Sequence, residues 1–489
     1  MWWLMFFVLF FGCAAAEKII IIGAGAAGIA TASKLLDQKF TDFRILEAQN
    51  RIGGRIHTFH LGEAFVDLGA QYLHGGKGNV AYELAKDYIK PGSEIDKAWI
   101  AYKGREKTGE NLVDQSFIIQ WEAYESDEPY LSLGESFLAR YNASVLEKYK
   151  NDAAMLEYAK DFIRSAENVL LLMDGAYTWN NLSSTGSFDE ADGDQYLSWD
   201  GRGAKTILEI LLKNYPKKTG YNLENHLSLK KSVSKIILNG NNVKVKCNDG
   251  SEYTAEHVVF TPSLGVLKHD HGSIFQPRLS DEKVAAIENF GFGCVVKIIF
   301  QFSNAWWGES KTFVFVWSEE DRKSIIKEVP FGPVKNGDHW LTSFISLGPA
   351  PNNSKILIGW IDGMMVPEVE KLSNEEIKNG TVFAMKKFLG KDFDITDPIK
   401  VIHSTWYSNP NFRGGYTHET VAMKKKNIFS PQQALLKPVT DEDGVPRILF
   451  AGEATHPTRY STVDGAIATG FREGERLIEI MKKKDTKSS

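Results

Sequence analysis

The sequence predicts an α/β fold built on a parallel sheet, and three neighbouring stretches predict it. Residues 18–22, Lys-Ile-Ile-Ile-Ile, form a β-branched run of the kind found in strands buried on both faces. The run enters Gly23-Ala-Gly25-Ala-Ala-Gly28, after which Ile29, Ala32, Leu35 and Leu36 recur at helical spacing. Residues 43–46 then read as a second strand that ends at Glu47, 19 residues past Gly28. This order of strand, glycine turn, helix, strand and acid is that of a Rossmann-like dinucleotide-binding unit. Gly23 permits the tight turn, Gly25 lets backbone amides approach a pyrophosphate, and Gly28 brings helix and strand together. The helix N-terminus adds partial positive charge towards the phosphates. Glu47 is spaced to accept hydrogen bonds from a ribose, and its charge disfavours a 2′-phosphate.

The segment before the first strand reads as an address. Residues 1–12 are almost wholly apolar, and Cys13-Ala14-Ala15-Ala16 precedes the charged Glu17 and Lys18. Such a run is shorter than the roughly 20 residues needed to span a bilayer. The small residues fit a signal-peptidase site, so residues 1–16 are expected to be a signal peptide, cleaved after Ala16, on a secreted protein. No Lys or Arg precedes the apolar run, which departs from the usual pattern and keeps an uncleaved interfacial anchor as the alternative. Sequons at Asn142, Asn181, Asn352 and Asn379 agree with export and a glycoprotein. Loss of Cys13 leaves Cys247 and Cys294, too few for a disulfide scaffold and with no metal-ligand spacing, so no metal is expected. The chain ends in Lys-Ser-Ser, without the peroxisomal tripeptide.

Charge narrows the partners. Lys and Arg number 57 and Asp and Glu 62, a net charge of −5, which offers nucleic acid no global attraction and leaves a cationic small molecule possible. No internal repeat appears. The 489 residues suffice for two or three domains.

Further motifs lie downstream in a fixed order. Arg51-Ile-Gly53-Gly54-Arg55 offers a second close backbone approach and a cation. Asp67-Leu-Gly69-Ala70-Gln71-Tyr72-Leu-His74-Gly75 follows. Residues 292–302 carry Lys297 inside an apolar strand-like run, with Trp306-Trp307-Gly308 beyond. Residues 406–416 read Trp406-Tyr-Ser-Asn-Pro-Asn-Phe-Arg413-Gly-Gly-Tyr416. Residues 448–457 contain Gly452-Glu453, and Tyr460-Ser-Thr462-Val463-Asp-Gly465 closes the set. Together these motifs resemble the flavin-containing amine oxidases, and more narrowly the polyamine and spermine oxidase branch, across nearly the whole chain.

The resemblance implies two domains. Residues 17–76, 200–290 and 440–481 would form a discontinuous FAD-binding domain, and residues 77–199 and 291–439 a mixed α+β substrate domain. Residues 482–489 are expected to be a disordered tail. Residues 231–262 alternate with period two around Asn239-Gly240-Asn241 and Asp249-Gly250, a β-meander. Helices are expected over 153–168, 374–389 and 464–481, the last with Ser461 or Thr462 as N-cap. Its positive end would face the flavin N1/C2 carbonyl.

The resemblance also implies roles. Gly23, Gly25, Gly28, Glu47, Gly54, Arg55, Gly69, Ala70, Gln71, Tyr72, Val233, Trp406, Glu453, Thr462 and Val463 would hold FAD. No Cys stands in the Arg413-Gly-Gly-Tyr416 stretch where some members link their flavin, so the cofactor is expected to be non-covalent. Lys297 would be catalytic through a lysine–water–flavin N5 bridge. From its pattern alone, it would be a snorkelling edge lysine. His74 would meet the substrate amine, the alternative being a structural histidine. Trp406, Tyr416 and Tyr460 would wall the substrate with aromatic faces that attract cations, or else pack as core. Glu125, Asp127 and Glu128 form an acidic run that a solvated loop explains equally well.

The expected activity is hydride transfer from the carbon beside a secondary amine to flavin N5. Iminium hydrolysis and reoxidation by O2, giving H2O2, would follow. Two alternatives remain at this level. One is a secreted flavin oxidase of another amine or an L-amino acid, for which no Arg clamp is identifiable. The other is an FAD-binding protein without oxidase activity.

Overall fold

The computed structural model describes residues 17–488, apart from 63, 93–98, 109–111, 126–130, 219, 310–311 and 352. The expected signal peptide, Asn352, Asp127 and Glu128 therefore lie outside the described residues.

The first strand, Glu17–Ile22, lies inside a nine-stranded sheet. It pairs in parallel with Phe43–Leu46 on one side and with Glu252–Phe260 on the other. Ile19, Ile20 and Ile21 are fully buried, as their unbroken β-branched run requires. Val233–Asn239, Asn242–Cys247 and the start of Glu252–Phe260 form the antiparallel meander, turning through Gly240 (φ +59°) and Gly250 (φ +84°). From Val258 onward, Pro446–Phe450 takes over that edge in parallel, with Val258 opposite Ile448. Strands from three distant parts of the chain thus build one sheet.

Two helices join the chain's ends. Ala26–Asp37 packs against Val463–Ser488 through small residues. A Cβ on Gly470 would stand 2.2 Å from the Ala27 carbonyl oxygen, and Thr31 Oγ1 donates to the Gly470 carbonyl at 3.0 Å. The last helix continues through residues 482–488, where the sequence reading expects a disordered tail. Lys and Asp, with no Gly or Pro, continue a helix already nucleated by packing, and Lys484 reaches Glu256 at 2.8 Å.

A second, seven-stranded sheet holds Lys297. Its order is Lys400–His403, Val296–Gln301, Asn353–Ile361, Phe344–Ala350, Thr312–Val316, Trp99–Lys103 and Glu106–Lys107. Alternate side chains of Thr312–Val316 face opposite layers. Phe313 and Phe315 pack with Trp317 and Phe388 of helix Asn374–Leu389. Val314 and Val316 pack with Phe162, Ala166 and Leu170 of helix Ala153–Asp174. Among the described residues, no helix is long and apolar enough to cross a membrane.

Candidate active site

A cavity of about 1460 Å³ is lined by residues from both sheets and from the N-terminal turns of both long-range helices. Single small-molecule sites commonly occupy about 300–1,000 Å³. This one has room for a dinucleotide and a second molecule.

Glycine backbone shapes one end. Gly23 has φ +98°, and a Cβ there would strike Thr261 Oγ1 at 2.5 Å. A Cβ on Gly28 would lie 2.0 Å from the Gly23 carbonyl oxygen, so only glycine lets the helix sit this close to the turn. Gly25 is the helix N-cap, and a Cβ on it would meet only the Gly54 Cα, at 3.9 Å. The remaining space beside it is cavity, where a side chain would stand in a ligand's place. Gly54 (φ +59°) lines the same wall. Arg51 holds that loop by donating to the carbonyls of Gly54, at 2.7 Å, and Ile56, at 3.1 Å. Gly69 is equally constrained, since its Cβ would fall 1.8 Å from the Arg55 carbonyl oxygen, which accepts the Ala70 amide at 3.2 Å.

The polar groups here are already engaged. Glu47 is buried; its carboxylate accepts from the amides of Ala24 at 2.7 Å and Gln49 at 2.8 Å. Arg55 donates to the Gly415 carbonyl and, at 2.9 Å, to Glu453. Glu453 is buried and accepts also from Thr417 Oγ1 at 2.7 Å and the Ser461 amide at 2.8 Å. Thr462 is the cap of the last helix, its Oγ1 accepting from the Gly465 amide at 3.0 Å. Val463 begins that helix, and Val233 begins its strand; both line the cavity.

Lys297 lines the cavity from the seven-stranded sheet. Its strand lies between Asn353–Ile361 and Lys400–His403, and its backbone is held to Ser404 in both directions at 2.9 Å. The side chain is 2% exposed, so it does not snorkel. Nζ donates to the carbonyls of Asp67 at 2.9 Å and Gly69 at 2.8 Å, and to Gln71 Oε1 at 2.9 Å. It also stands 4.8 Å from the centre of the Trp360 ring. Burial pulls the ammonium down to about 8, against the opposing pull of the Asp67 carboxylate. All three ammonium hydrogens have protein acceptors, so a water at Nζ would share one of them or meet the neutral amine's lone pair.

His74 exposes its ring to the cavity, and Nδ1 lies 2.6 Å from the Gln195 carbonyl oxygen. A carbonyl only accepts, so the neutral ring keeps its proton on Nδ1 and its lone pair on Nε2. Desolvation by the surrounding protein lowers the imidazole below its ordinary value. Tyr72 lines the same wall, edge-on to Tyr196 at 5.5 Å. Trp406 donates to the Leu68 carbonyl at 3.1 Å and meets Phe412 edge-on at 5.0 Å. Tyr416 donates to the Leu172 carbonyl at 2.8 Å, and Tyr460 packs edge-on between Phe188 and Phe290. Tyr460 is 6% exposed and offers the cavity less surface than Tyr416. Every residue the sequence assigned to cofactor or substrate lines this cavity except Gly28, which acts from behind the turn.

Asp174 escaped the sequence reading. It ends helix Ala153–Asp174, ahead of the left-handed Gly175. Its Oδ2 accepts from the Tyr124 hydroxyl at 2.7 Å, and among the described residues no donor meets Oδ1. Burial pushes its carboxyl up to about 6. The available signal was weak: an acid at a helix C-terminus opposes the helix dipole. The cavity's cations are largely spent elsewhere, Arg55 on Glu453, Arg459 on Asp464 at 2.8 Å and Lys231 on Asp249 at 2.6 Å. Glu125 lines the mouth.

The glycine cradle, the buried Glu47 and the two helix N-termini fit a dinucleotide cofactor such as FAD. Neither Cys247 nor Cys294 lines the cavity, so no described thiol stands ready to tether one. Among the described residues, no cluster of His, Cys, Asp and Glu could hold a metal ion.

Comparison with known proteins adds an independent line. The family model for flavin containing amine oxidoreductases matches residues 26–478. The chain is 27% identical over 540 residues to a probable polyamine oxidase 5 of Arabidopsis thaliana, covering 94% of this chain and 98% of that one. It is 26% identical over 507 residues to the peroxisomal N(1)-acetyl-spermine/spermidine oxidase of Bos taurus, covering 95% of each. The Homo sapiens protein of that name is likewise 26% identical, over 511 residues, with 95% of each covered.

Proposed function

The chain belongs to the flavin-containing amine oxidoreductases and is an FAD-dependent amine oxidase, and on that premise we propose that it oxidises polyamines at a carbon beside a secondary nitrogen. FAD, when bound, supplies the acceptor for the hydrogen and electron pair leaving that carbon and passes the electrons to O2, giving H2O2. The chain's own residues orient the amine, exclude water and manage protons.

The observation that carries the polyamine reading is charge. Asp174 keeps an oxygen that no donor among the described residues meets, on the cavity wall beside the aromatic Tyr416 and Tyr460. An ammonium brought to it favours the ionised carboxylate against the burial that pushes its pKa up, and replaces the water lost on binding. Tyr416 lines the same wall, where an aromatic ring suits an alkylammonium chain. The reacting nitrogen must be neutral, because an ammonium has no lone pair to assist C–H cleavage. His74 suits that need, since Nε2 accepts a hydrogen bond or proton while Nδ1–H stays on Gln195. Three acceptors hold Lys297 Nζ in place as an ammonium, while burial pulls its pKa down to about 8, so that it can give up a proton at the cost of one of those hydrogen bonds. The glycine-cradle segments and the lysine sheet would serve as cofactor and substrate domains respectively.

Export through residues 1–16 is part of this reading. It is supported by the apolar leader and by exposed sequon residues Asn142, Asn181 and Asn379. The mature protein should then begin at Glu17 on N-terminal sequencing, and a start at Met1 would remove the proposal.

The test of function mixes the purified yellow protein with spermine, N-acetylspermine, a monoamine and an amino acid under anaerobic conditions. Flavin bleaching by the polyamines, and peroxide once air is admitted, is the expected result. Bleaching by the monoamine or amino acid alone would overturn the substrate, and bleaching by none would leave an FAD-binding protein.

A further inference from the structure

The cavity does not end at Asp174. Beyond it lies the face of helix Leu112–Tyr124, and Asp114, Phe117 and Trp121 on that face line the cavity, as does Glu125 just after it. Spacings of three and four residues put these side chains on one stripe. Trp99 meets Phe117 at 5.8 Å between ring centres. Trp121 is 56% exposed, and Met173 and Phe188, also cavity-lining, are 45% and 43% exposed. Large apolar side chains left open together mark a binding surface. A bare polyamine would meet these rings only through cation–π contact of a small, hydrated terminal ammonium, which leaves most of their apolar area uncovered.

We propose that this mouth takes an aromatic acyl cap on the distal nitrogen of the polyamine, so that the preferred substrate is an N-arylacylpolyamine. The inference rests on the polyamine-oxidase reading and deepens it. Acylation removes the terminal charge, and the arene then covers Trp121 and stacks beside Phe117 and Trp99. The inner ammonium groups are left for Asp174, and the acids that flank the aromatic stripe, Asp114 and Glu125, line the same cavity. The same acids argue against a lipid surface as occupant, since they repel anionic headgroups. Continuity with the reacting end argues for a substrate, because Asp114, Phe117, Trp121, Asp174 and Lys297 line one cavity.

The experiment compares kcat/KM of the holoenzyme for spermine, N-acetylspermine and N-phenylacetylspermine. Trp121→Ser is assayed in parallel, and its flavin content and melting temperature report its folding. N-phenylacetylspermine should exceed N-acetylspermine by about tenfold, equivalent to about 1.4 kcal/mol, and Trp121→Ser should bring that ratio near one. Equal or lower turnover of the arylacyl substrate by the wild type would overturn the inference while leaving the polyamine reading intact. So would a ratio that survives Trp121→Ser. Failure of all three amines to bleach the flavin would remove the polyamine reading and the inference with it. Sedimentation with phosphatidylcholine vesicles that Trp121→Ser abolishes would assign the patch to lipid and overturn the inference.

Discussion

The two ends of the cavity are built on opposite principles. At the glycine end, the polar groups find partners within the protein: Glu453 has Arg55, Thr417 and Ser461, and Glu47 has the amides of Ala24 and Gln49. Backbone contacts there leave no space for an added carbon at Gly28 or Gly69. At the other end, Asp174 has one donor among the described residues, His74 keeps a lone pair, and Trp121 stands open. The first end is finished before any ligand arrives, as suits a cofactor that stays. The second leaves its hydrogen bonds and apolar surface incomplete, as suits a molecule that enters, reacts and leaves. Lys297 stands between them and belongs to the finished end by its hydrogen bonds.

That contrast can be broken by substitution. The largest effect is expected at Gly28→Ala, whose new methyl collides with backbone that cannot move without opening the turn. A loss of about 3 kcal/mol or more is expected, read as a fall in melting temperature and in flavin bound per protein. A variant with full flavin and an unchanged melt would show that the cradle is more pliable than its contacts imply. Lys297→Met comes next and should slow flavin reduction or reoxidation by at least about tenfold while the flavin stays bound. Wild-type stopped-flow rates in that variant would remove Lys297 from the chemistry. Asp174→Asn is the mildest and sharpens the contrast, because it touches only the unfinished end. KM for a polyamine at pH 7 should rise about tenfold. In the wild type, KM should climb as pH falls through about 6, where Asp174 takes a proton and loses its pull on cations. In Asp174→Asn that limb should be flat, and its persistence would point to another group.

Legibility followed the same division. The Gly23–Gly28 turn, its flanking strands and Glu47 were readable because each is specified by neighbours within about 30 residues. Helix Asn374–Leu389 matched its apolar spacing to the residue, helped by the capping box of Ser373 and Glu376. The end of the last helix was misjudged because a polar Lys-rich stretch carries no periodic apolar signal. Pattern alone favoured a snorkelling Lys297; only the facing carbonyls of Asp67 and Gly69 show why a lysine is tolerated there. Asp174 was unreadable, since an acid before a glycine at a helix end looks like ordinary surface.

What the chain determined by itself was local: which segments are strands, where the backbone must be glycine, and which residue types an amine-oxidising flavin site would draw upon. What only the tertiary structure decided was which of those groups would be left with an unmet hydrogen bond. The reason is that strand and turn preferences act between neighbours in sequence. An unmet hydrogen bond depends instead on what distant segments bring to the same place. Lys297 is held by residues 230, 228 and 226 positions away, and Asp174 by one 50 positions away.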